Sequence, residues 1–368
     1  MKSACIVLQE KINPSDSGVA AVLGAFSASA YSFIDVRFLI HFDEKRVQET
    51  LQNLKDSVDV LLFLSEKTAL PQAKEYVKGY FSEDTAQNIF GGAGVYRGKT
   101  TTLFLLSADS SETGVGYVKN VCIPYLQQSS GVRYDKITVR AVGANEERVN
   151  GLLAQAIAIS GNTISCQHTR KYDEDVVEIT YDSNTPKMLA DDVLRLFADG
   201  LGDTVYALND DSTLEEQLVT LLKLRRRKIS VAESFTGGGI AKRITSVSGA
   251  SQVYFEGLNT YDELSKIKRL GVSEYTLQTV GAVSDQTAYE MATGLLQTGC
   301  CDIAIATTGL AGPKTDRSML PVGLCFIAVG VKEQVLVYRY KFDGNREEIT
   351  EKAINYALYL AYKHLKKL

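Results

Sequence analysis

Apolar and polar positions change their period repeatedly along the chain, and each change marks a new element. Between residues 4 and 65, ACIVLQ predicts a buried strand, SGVAAVLGAFSASA a helix, FIDVRFLIHF a strand, DEKRVQETLQNL an amphipathic helix and VDVLLFL another buried strand. Strands alternating with helices in this way predict a βαβαβ unit on a parallel sheet. The pattern runs on through AKEYVKGYF and FGGAGVYRGKTTTLFLLSAD to VKNVCIPYLQQSSG, whose serines and glycine place a domain edge near residue 130. Residues 131–208 change character. Two alternating strands, KITVRAVG and VVEITYD, flank the helical patterns NEERVNGLLAQAIAIS and PKMLADDVLRLFADGLG, which predicts a small α+β module acting as a spacer or packing element.

A third domain is expected over 209–368. Residues 209 to 213 are turn formers, and Ser212 with Glu215 fits a capping box that opens an amphipathic helix. Beyond it the pattern predicts strand ISVAE, a helix from Gly237, strand QVYFEGLNTY, helices from Asp262 and from about Ser284, and the buried strand DIAIATT. Two further strands at VGLCFIAVG and QVLVYRYKF and a final helix complete it. The expected fold class is α/β and multidomain, in keeping with a 368-residue chain too long for one typical core.

Composition narrows the function classes. A net charge of −4, with lysines and arginines interspersed among acids, provides no field for a polyanion. The lysines of the closing AYKHLKKL complement the dipole of a helix end, so nucleic acid is not an expected partner. No apolar run is long enough to span a bilayer, and MKSACIVLQEK is too short in its apolar stretch for a secretory signal. A cytoplasmic protein without membrane contact is expected. The six cysteines lack CxxC spacing and include the adjacent Cys300 and Cys301, which fits a reducing compartment. His41, His168 and His364 stand apart from the cysteines and from one another, so no metal site is expected.

Candidate chemistry gathers in VAESFTGGGIAKRI, residues 231 to 244, where Ser234 and Thr236 precede Gly237, Gly238 and Gly239 at a strand-to-helix junction. Backbone amides and the positive end of a helix dipole converge there and favour an anionic group, although a glycine triplet also serves a plain tight turn. A second glycine loop, TTGLAGPK at 307 to 314, follows another apolar strand and contains Thr308, Gly309 and Gly312. Two such loops beyond strand ends predict a pocket. For Ser234 to act as a nucleophile it needs a base, and no histidine lies between residues 169 and 363. A Ser-His-Asp arrangement is excluded in this domain unless His364 reaches back. The remaining arrangement pairs serine with a lysine held neutral by desolvation, and TYDELSKIKRLG offers Lys266 and Lys268. Lys266, five residues beyond Tyr261 at a strand-to-helix junction, is placed to face a site, whereas Lys268 suits a solvated face.

AESFTGG, SGASQVYFEG, TYDELSK, GAVS, TTGLAGP, PVGL and GNRE follow one another over about residues 212 to 366. In order and spacing they resemble the C-terminal domain of the CinA (competence-damage-inducible protein A) family, with its AESxTGG, GSS, YSNxxK, GAVS, TGIAGP, PVGL and GDR. The preceding segments are similar in order to full-length CinA proteins. The resemblance implies a molybdopterin-binding-like α/β domain over 1–130, a KH-like module over 131–208 and an amidohydrolase domain over 209–368. It also implies nicotinamide mononucleotide deamidase activity, in which the carboxamide is hydrolysed to nicotinate mononucleotide and ammonia for pyridine nucleotide salvage, with no metal or cofactor. By position, Ser234 matches the family's nucleophile and Lys266 its general base, which would take the serine proton and return it to ammonia. The early glycine amides, Thr236 and Arg346 would stabilise the oxyanion or hold the substrate phosphate. Tyr261, Glu263, Thr308, Gly309 and Gly312 complete the expected substrate-binding set.

Several positions depart from the family pattern. Glu263 stands where the family has asparagine, and a carboxylate three residues from Lys266 is expected to favour the ammonium form and raise the lysine pKa. Phe235 replaces a cysteine and is expected to pack in the core. The loop after Pro313 lacks the usual glycines, which predicts a stiffer or reshaped cover for the site. In the first domain LQEKINPSD and LSEKTALPQA occupy the places of the family's GDELL and GGLGPTxDD. Those motifs would supply acidic metal ligands and phosphate-binding glycines for pyrophosphate cleavage, so that activity is expected to be lost and the domain to serve as a dimerisation surface, giving a homodimer. The leading expectation is a Ser-Lys amidohydrolase. Its alternative is a catalytically inactive nucleotide-binding or regulatory protein that keeps the CinA architecture.

Overall fold

The computed structural model describes residues 1–29, 31–41, 43–84, 93–107, 111–161, 163–314, 319–331 and 334–367. They form two compact units, Met1–Lys136 with Thr180–Pro186, and Ile137–Ile179 with Lys187–Leu368. Together they carry three sheets with helices, a multidomain α/β protein. Among the described residues no helix is long and apolar enough to cross a membrane.

In the first unit, β1 (Ser3–Gln9), α1 (Ser17–Ala28), β2 (Phe33–Ile40), α2 (Glu44–Leu54) and β3 (Val60–Ser65) build the expected parallel core. After α3 (Leu70–Lys78) come the short β4 (Ser82–Glu83), β5 (Gly94–Arg97), β6 (Thr102–Ser107), α4 (Ser111–Tyr117) and α5 (Ile123–Ser130). The sheet order is β2-β1-β3-β6-β5-β4, and β5 and β4 add an antiparallel edge. β1 and β3 are buried along their whole length, which is why they read as unbroken apolar runs. A cleft of about 480 Å³ opens at the carboxyl ends of β1 and β3, but Asp16 beside it is already committed to capping α1 through the Val19 amide. Part of FGGAGVYRGKTTTLFLLSAD lies outside the described residues.

The middle sheet contains β7 (Tyr134–Val142), β8 (Ile164–Lys171), β9 (Glu174–Asp182) and β10 (Val205–Leu208), in the order β10-β7-β9-β8, with α6 (Glu146–Ser160) and α7 (Lys187–Leu201). Sequence periodicity finds β7 and β9 and misses the other two. β8 is an edge strand with only its first residue buried, and its ISCQHTRK carries too few apolar side chains to stand out.

The C-terminal segment begins with α8 (Leu214–Leu224), whose capping box is Thr213 with Glu216, one residue later than the expected Ser212 and Glu215. Both pairs satisfy the spacing, but only the later one makes Leu214 the first helical residue and buries Leu214, Leu218 and Leu222 on one face. Glu215 instead pairs with Arg243. Then follow β11 (Ile229–Glu233), α9 (Gly239–Ser246), β12 (Tyr254–Asn259), α10 (Glu263–Leu270), α11 (Glu274–Thr279), α12 (Asp285–Gln297), β13 (Ile303–Gly309), β14 (Leu324–Val331), β15 (Gln334–Lys341) and α13 (Arg346–Lys366). The sheet order is β12-β11-β13-β14-β15, with β12, β11 and β13 parallel and the last two strands antiparallel.

Large and small side chains sort the two faces of this sheet. Ile229, Val231, Ile303, Ile305, Ile327 and Val329 pack with Leu218, Ile240 and Leu358 from α8, α9 and α13. Ala232, Ala304, Ala306 and Ala328 turn to the opposite face and meet Met291, Ala292 and Leu295 of α12 and Leu270 of α10. α12 also approaches the end of α10 closely, because a Cβ at Gly294 would lie 2.0 Å from the Leu270 carbonyl oxygen. Gly294→Ala is therefore expected to lower stability by about 1–3 kcal/mol through overpacking, read as a fall in the denaturation midpoint. An unchanged midpoint would show that the two helices part at little cost.

Candidate active site

Parallel pairing brings the carboxyl ends of β12, β11 and β13 to one edge, where open α/β sheets form ligand crevices. Ser234 is the first residue beyond β11, and its amide donates to the Thr307 carbonyl at 3.1 Å. The chain then reverses through Gly237 at φ 63° and Gly238 at φ 97°, a left-handed pair that only glycine adopts freely. The Gly237 amide returns to the Ser234 carbonyl at 3.1 Å. Ser234 is thereby fixed in a tight turn, with its side chain nearly buried.

The expected anion site at the start of α9 is filled by the protein itself. Glu233 is 1% exposed, and its carboxylate accepts from the amides of Gly238 (3.1 Å), Ile240 (3.1 Å) and Ala241 (2.9 Å). These are the orphan donors of a helix start, and a buried carboxylate satisfies them with charge-assisted bonds. Gly237 and Gly238 accordingly shape the turn and lie away from the cleft lining, as does Thr236, whose hydroxyl is 2.8 Å from that of Thr307. The amides of Phe235 and Thr236 have no acceptor among the described residues.

Lys266 comes from the first turn of α10, which Asp262 caps by accepting from the Leu264 amide at 2.8 Å. Its side chain turns inward and is 1% exposed. Nζ lies 3.1 Å from Ser234 Oγ, 2.6 Å from the Thr260 carbonyl oxygen and 3.4 Å from the Tyr261 carbonyl oxygen. Carbonyl oxygens only accept. A neutral amine has two N–H groups and one lone pair, so the two carbonyls can take the N–H groups and leave the lone pair for the serine hydroxyl. Burial pulls the Lys266 pKa below the ordinary lysine value, and the charges of Glu263 and Asp262 push it part of the way back. Glu263 thus acts in the expected direction, but desolvation outweighs it, and the expectation of a net raised pKa is corrected.

Ser234 and Lys266 open onto a cleft of about 350 Å³. Tyr261, Glu263, Thr308, Gly309, Gly312 and Arg346, named from the sequence as substrate-binding candidates, line it. The Thr308 hydroxyl is taken by the Ala282 carbonyl, so its contribution to the wall is steric. Arg346 donates to the Gly312 carbonyl at 2.8 Å and to the Tyr261 hydroxyl at 3.2 Å, which ties the two loops together. Phe235 packs with Ala311, Cys325 and Phe342. Lys268 is exposed, and His364 is bonded to the Tyr338 hydroxyl, far from a role as base. Sequence reasoning missed Lys314, Ala282, Val283, Leu310 and Ala311 as lining residues. Their motifs, GAVS and TTGLAGPK, hold the signal for all five. The reshaped loop expected beyond Lys314 falls at 315–318, outside the described residues.

Comparison with known proteins places this site within a family. Residues 211–365, which include Ser234, Lys266 and Arg346, match the CinA C-terminal domain. The chain belongs to the CinA family. A putative competence-damage inducible protein from Caldicellulosiruptor saccharolyticus is 37% identical over 64% of this chain and 58% of its own length. A CinA-like protein from Kosmotoga olearia is 34% identical over 64% of this chain and 58% of its own. The chain thus spans a little over half the length of these curated relatives. Among solved structures, the competence/damage inducible protein CihA from Agrobacterium tumefaciens is 38% identical, with 40% of this chain and 90% of that one aligned at a TM-score of 0.39.

Proposed function

We propose that the C-terminal domain hydrolyses the carboxamide of nicotinamide mononucleotide, giving nicotinate mononucleotide and ammonia. The observation that carries this reading is the buried Lys266 amine 3.1 Å from Ser234 Oγ, with its pKa lowered and two carbonyls to hold its remaining hydrogens. Neutral Lys266 takes the hydroxyl proton as Ser234 Oγ bonds to the carboxamide carbon, and the carbonyl oxygen becomes an oxyanion. The Phe235 amide, which belongs to the cleft lining and has no acceptor among the described residues, is the donor for it. Collapse breaks the C–N bond, and Lys266 returns its proton to the nitrogen, which leaves as ammonia. The ester on Ser234 is then hydrolysed by water, with Lys266 again as base, which releases the carboxylate. Arg346 and Lys314 on the cleft lining are the cations for the phosphate, and the small apolar Ala282 and Val283 leave room for the pyridinium ring.

Incubation with nicotinamide mononucleotide and measurement of ammonia tests the proposal against Ser234→Ala and Lys266→Ala. Release by the parent protein that both substitutions remove supports it. Binding without release favours an inactive nucleotide-binding protein, and release that survives both substitutions rejects these residues.

The pH dependence follows from the amine. Below its pKa Lys266 is an ammonium and has no lone pair, so turnover is expected to rise with pH and to level off above a midpoint lower than the ordinary lysine value. Glu263→Gln removes a charge that raises this pKa, so the rising limb is expected to move to lower pH. A limb that stays in place or moves upward would separate Glu263 from the titration of the base.

A further inference from the structure

β8 and β9 are joined by two residues, Tyr172 and Asp173, both left-handed at φ 51° and 60°. Hairpin loops of this kind favour Asn-Gly, because a side chain resists positive φ, and a tyrosine there must be held by contacts elsewhere. Most of those contacts are made to α13. The Tyr172 hydroxyl donates to Glu347 Oε1 at 2.8 Å, and its carbonyl accepts from Asn355 Nδ2 at 2.9 Å. The Asp173 carboxylate stands 4.0 Å from Lys352 Nζ, and its carbonyl accepts from the Gly143 amide at 2.8 Å. Tyr356 of the same helix leaves no room at Gly143, where a Cβ would lie 2.6 Å from its hydroxyl oxygen. Asn355 also accepts from Arg243 of α9, the helix that follows the Ser234 turn.

Glu347 adjoins Arg346, which lines the cleft. We infer that Tyr172 is a positioning residue for substrate binding: by holding Glu347 it fixes the first turn of α13 and so aims Arg346 at the phosphate of the substrate. The middle module is then a brace for the site as well as a spacer. The identity of the substrate rests on the amide-hydrolysis reading, whereas the brace requires only that Arg346 bind its anionic end.

The test uses Tyr172→Phe, which keeps the ring and the backbone. Dissociation constants are measured by calorimetry in the full chain carrying Ser234→Ala. The ligands are nicotinamide mononucleotide and nicotinamide riboside, which has the same carboxamide and no phosphate. Tyr172→Phe is expected to weaken mononucleotide binding about three- to tenfold, to leave riboside binding unchanged, and to have no further effect once Arg346→Ala is present. Glu347→Ala should reproduce the effect and Glu347→Gln, which keeps an acceptor oxygen, should largely avoid it. In turnover the same factor is expected in KM with kcat unchanged. Equal losses for both ligands, an undiminished effect in the Arg346→Ala background, or unaltered mononucleotide binding would overturn the inference. If the parent binds the mononucleotide without releasing ammonia, the deamidase reading fails and the binding comparison still decides the brace. If it binds no mononucleotide, both fail.

Discussion

Lys266→Met is expected to lower kcat for ammonia release by about 10³-fold or more while the fold survives. The substitution keeps a similar length and removes the nitrogen, so Ser234 loses the group that takes its proton, and general-base contributions of about 10²–10⁴ are usual for a positioned side chain. The effect is expected at every pH, because a methionine has nothing to titrate. Lys266→Arg is expected to be as inactive, since a guanidinium stays charged and has no lone pair to offer. Steady-state rates across pH, with circular dichroism to confirm folding, check both. An active Lys266→Arg protein would mean that position 266 acts as a fixed positive charge and that the base lies elsewhere.

The second large effect concerns Glu233. Its carboxylate accepts three amides at the start of α9 in a buried setting. Glu233→Gln replaces one acceptor oxygen by an NH2 group facing amide donors, so at least one N–H is left unpaired away from water. The expected cost is about 2 kcal/mol, the range for an unsatisfied buried donor. Hydrogen exchange of the Ile240 and Ala241 amides measures this locally, and their protection is expected to fall. Because Ser234 is the next residue, turnover is expected to drop at least about tenfold from its displacement relative to Lys266. Unchanged protection would show that the turn is held by Gly237 and Gly238 alone.

Much of the C-terminal domain is legible in the chain because its strands alternate large with small. DIAIATT declares two faces of different depth, and the sheet uses the isoleucines for one helical layer and the alanines for the other. Ser234 with a lysine partner is legible because the absence of histidine leaves few bases, whereas the choice of Lys266 over Lys268 rests on the resemblance to the family's YSNxxK motif. The role of Glu233 is harder to read. A single acid ending the buried strand ISVAE is a signal, but which donors it meets depends on how the glycine turn brings the helix back over it. The brace at Tyr172 leaves no local trace, since Tyr-Asp is an unlikely pair for a two-residue hairpin and its partners on α13 lie about 175 residues away in sequence. β8 escapes the sequence pattern and the α8 cap lies one residue beyond its expected place for a common reason: half-exposed edges and overlapping capping patterns are settled by tertiary burial.

In the proposed reaction Ser234 Oγ, deprotonated by Lys266, bonds to the carboxamide carbon. Rapid quenching of the protein with nicotinamide mononucleotide, followed by peptide mass mapping and ammonia measurement in the same samples, tests it most directly. Ammonia is expected with the parent protein, a peptide containing Ser234 is expected to gain the mass of the mononucleotide less ammonia, and Ser234→Ala is expected to lose both signals. Ammonia released by the Ser234→Ala protein at the parental rate would contradict it.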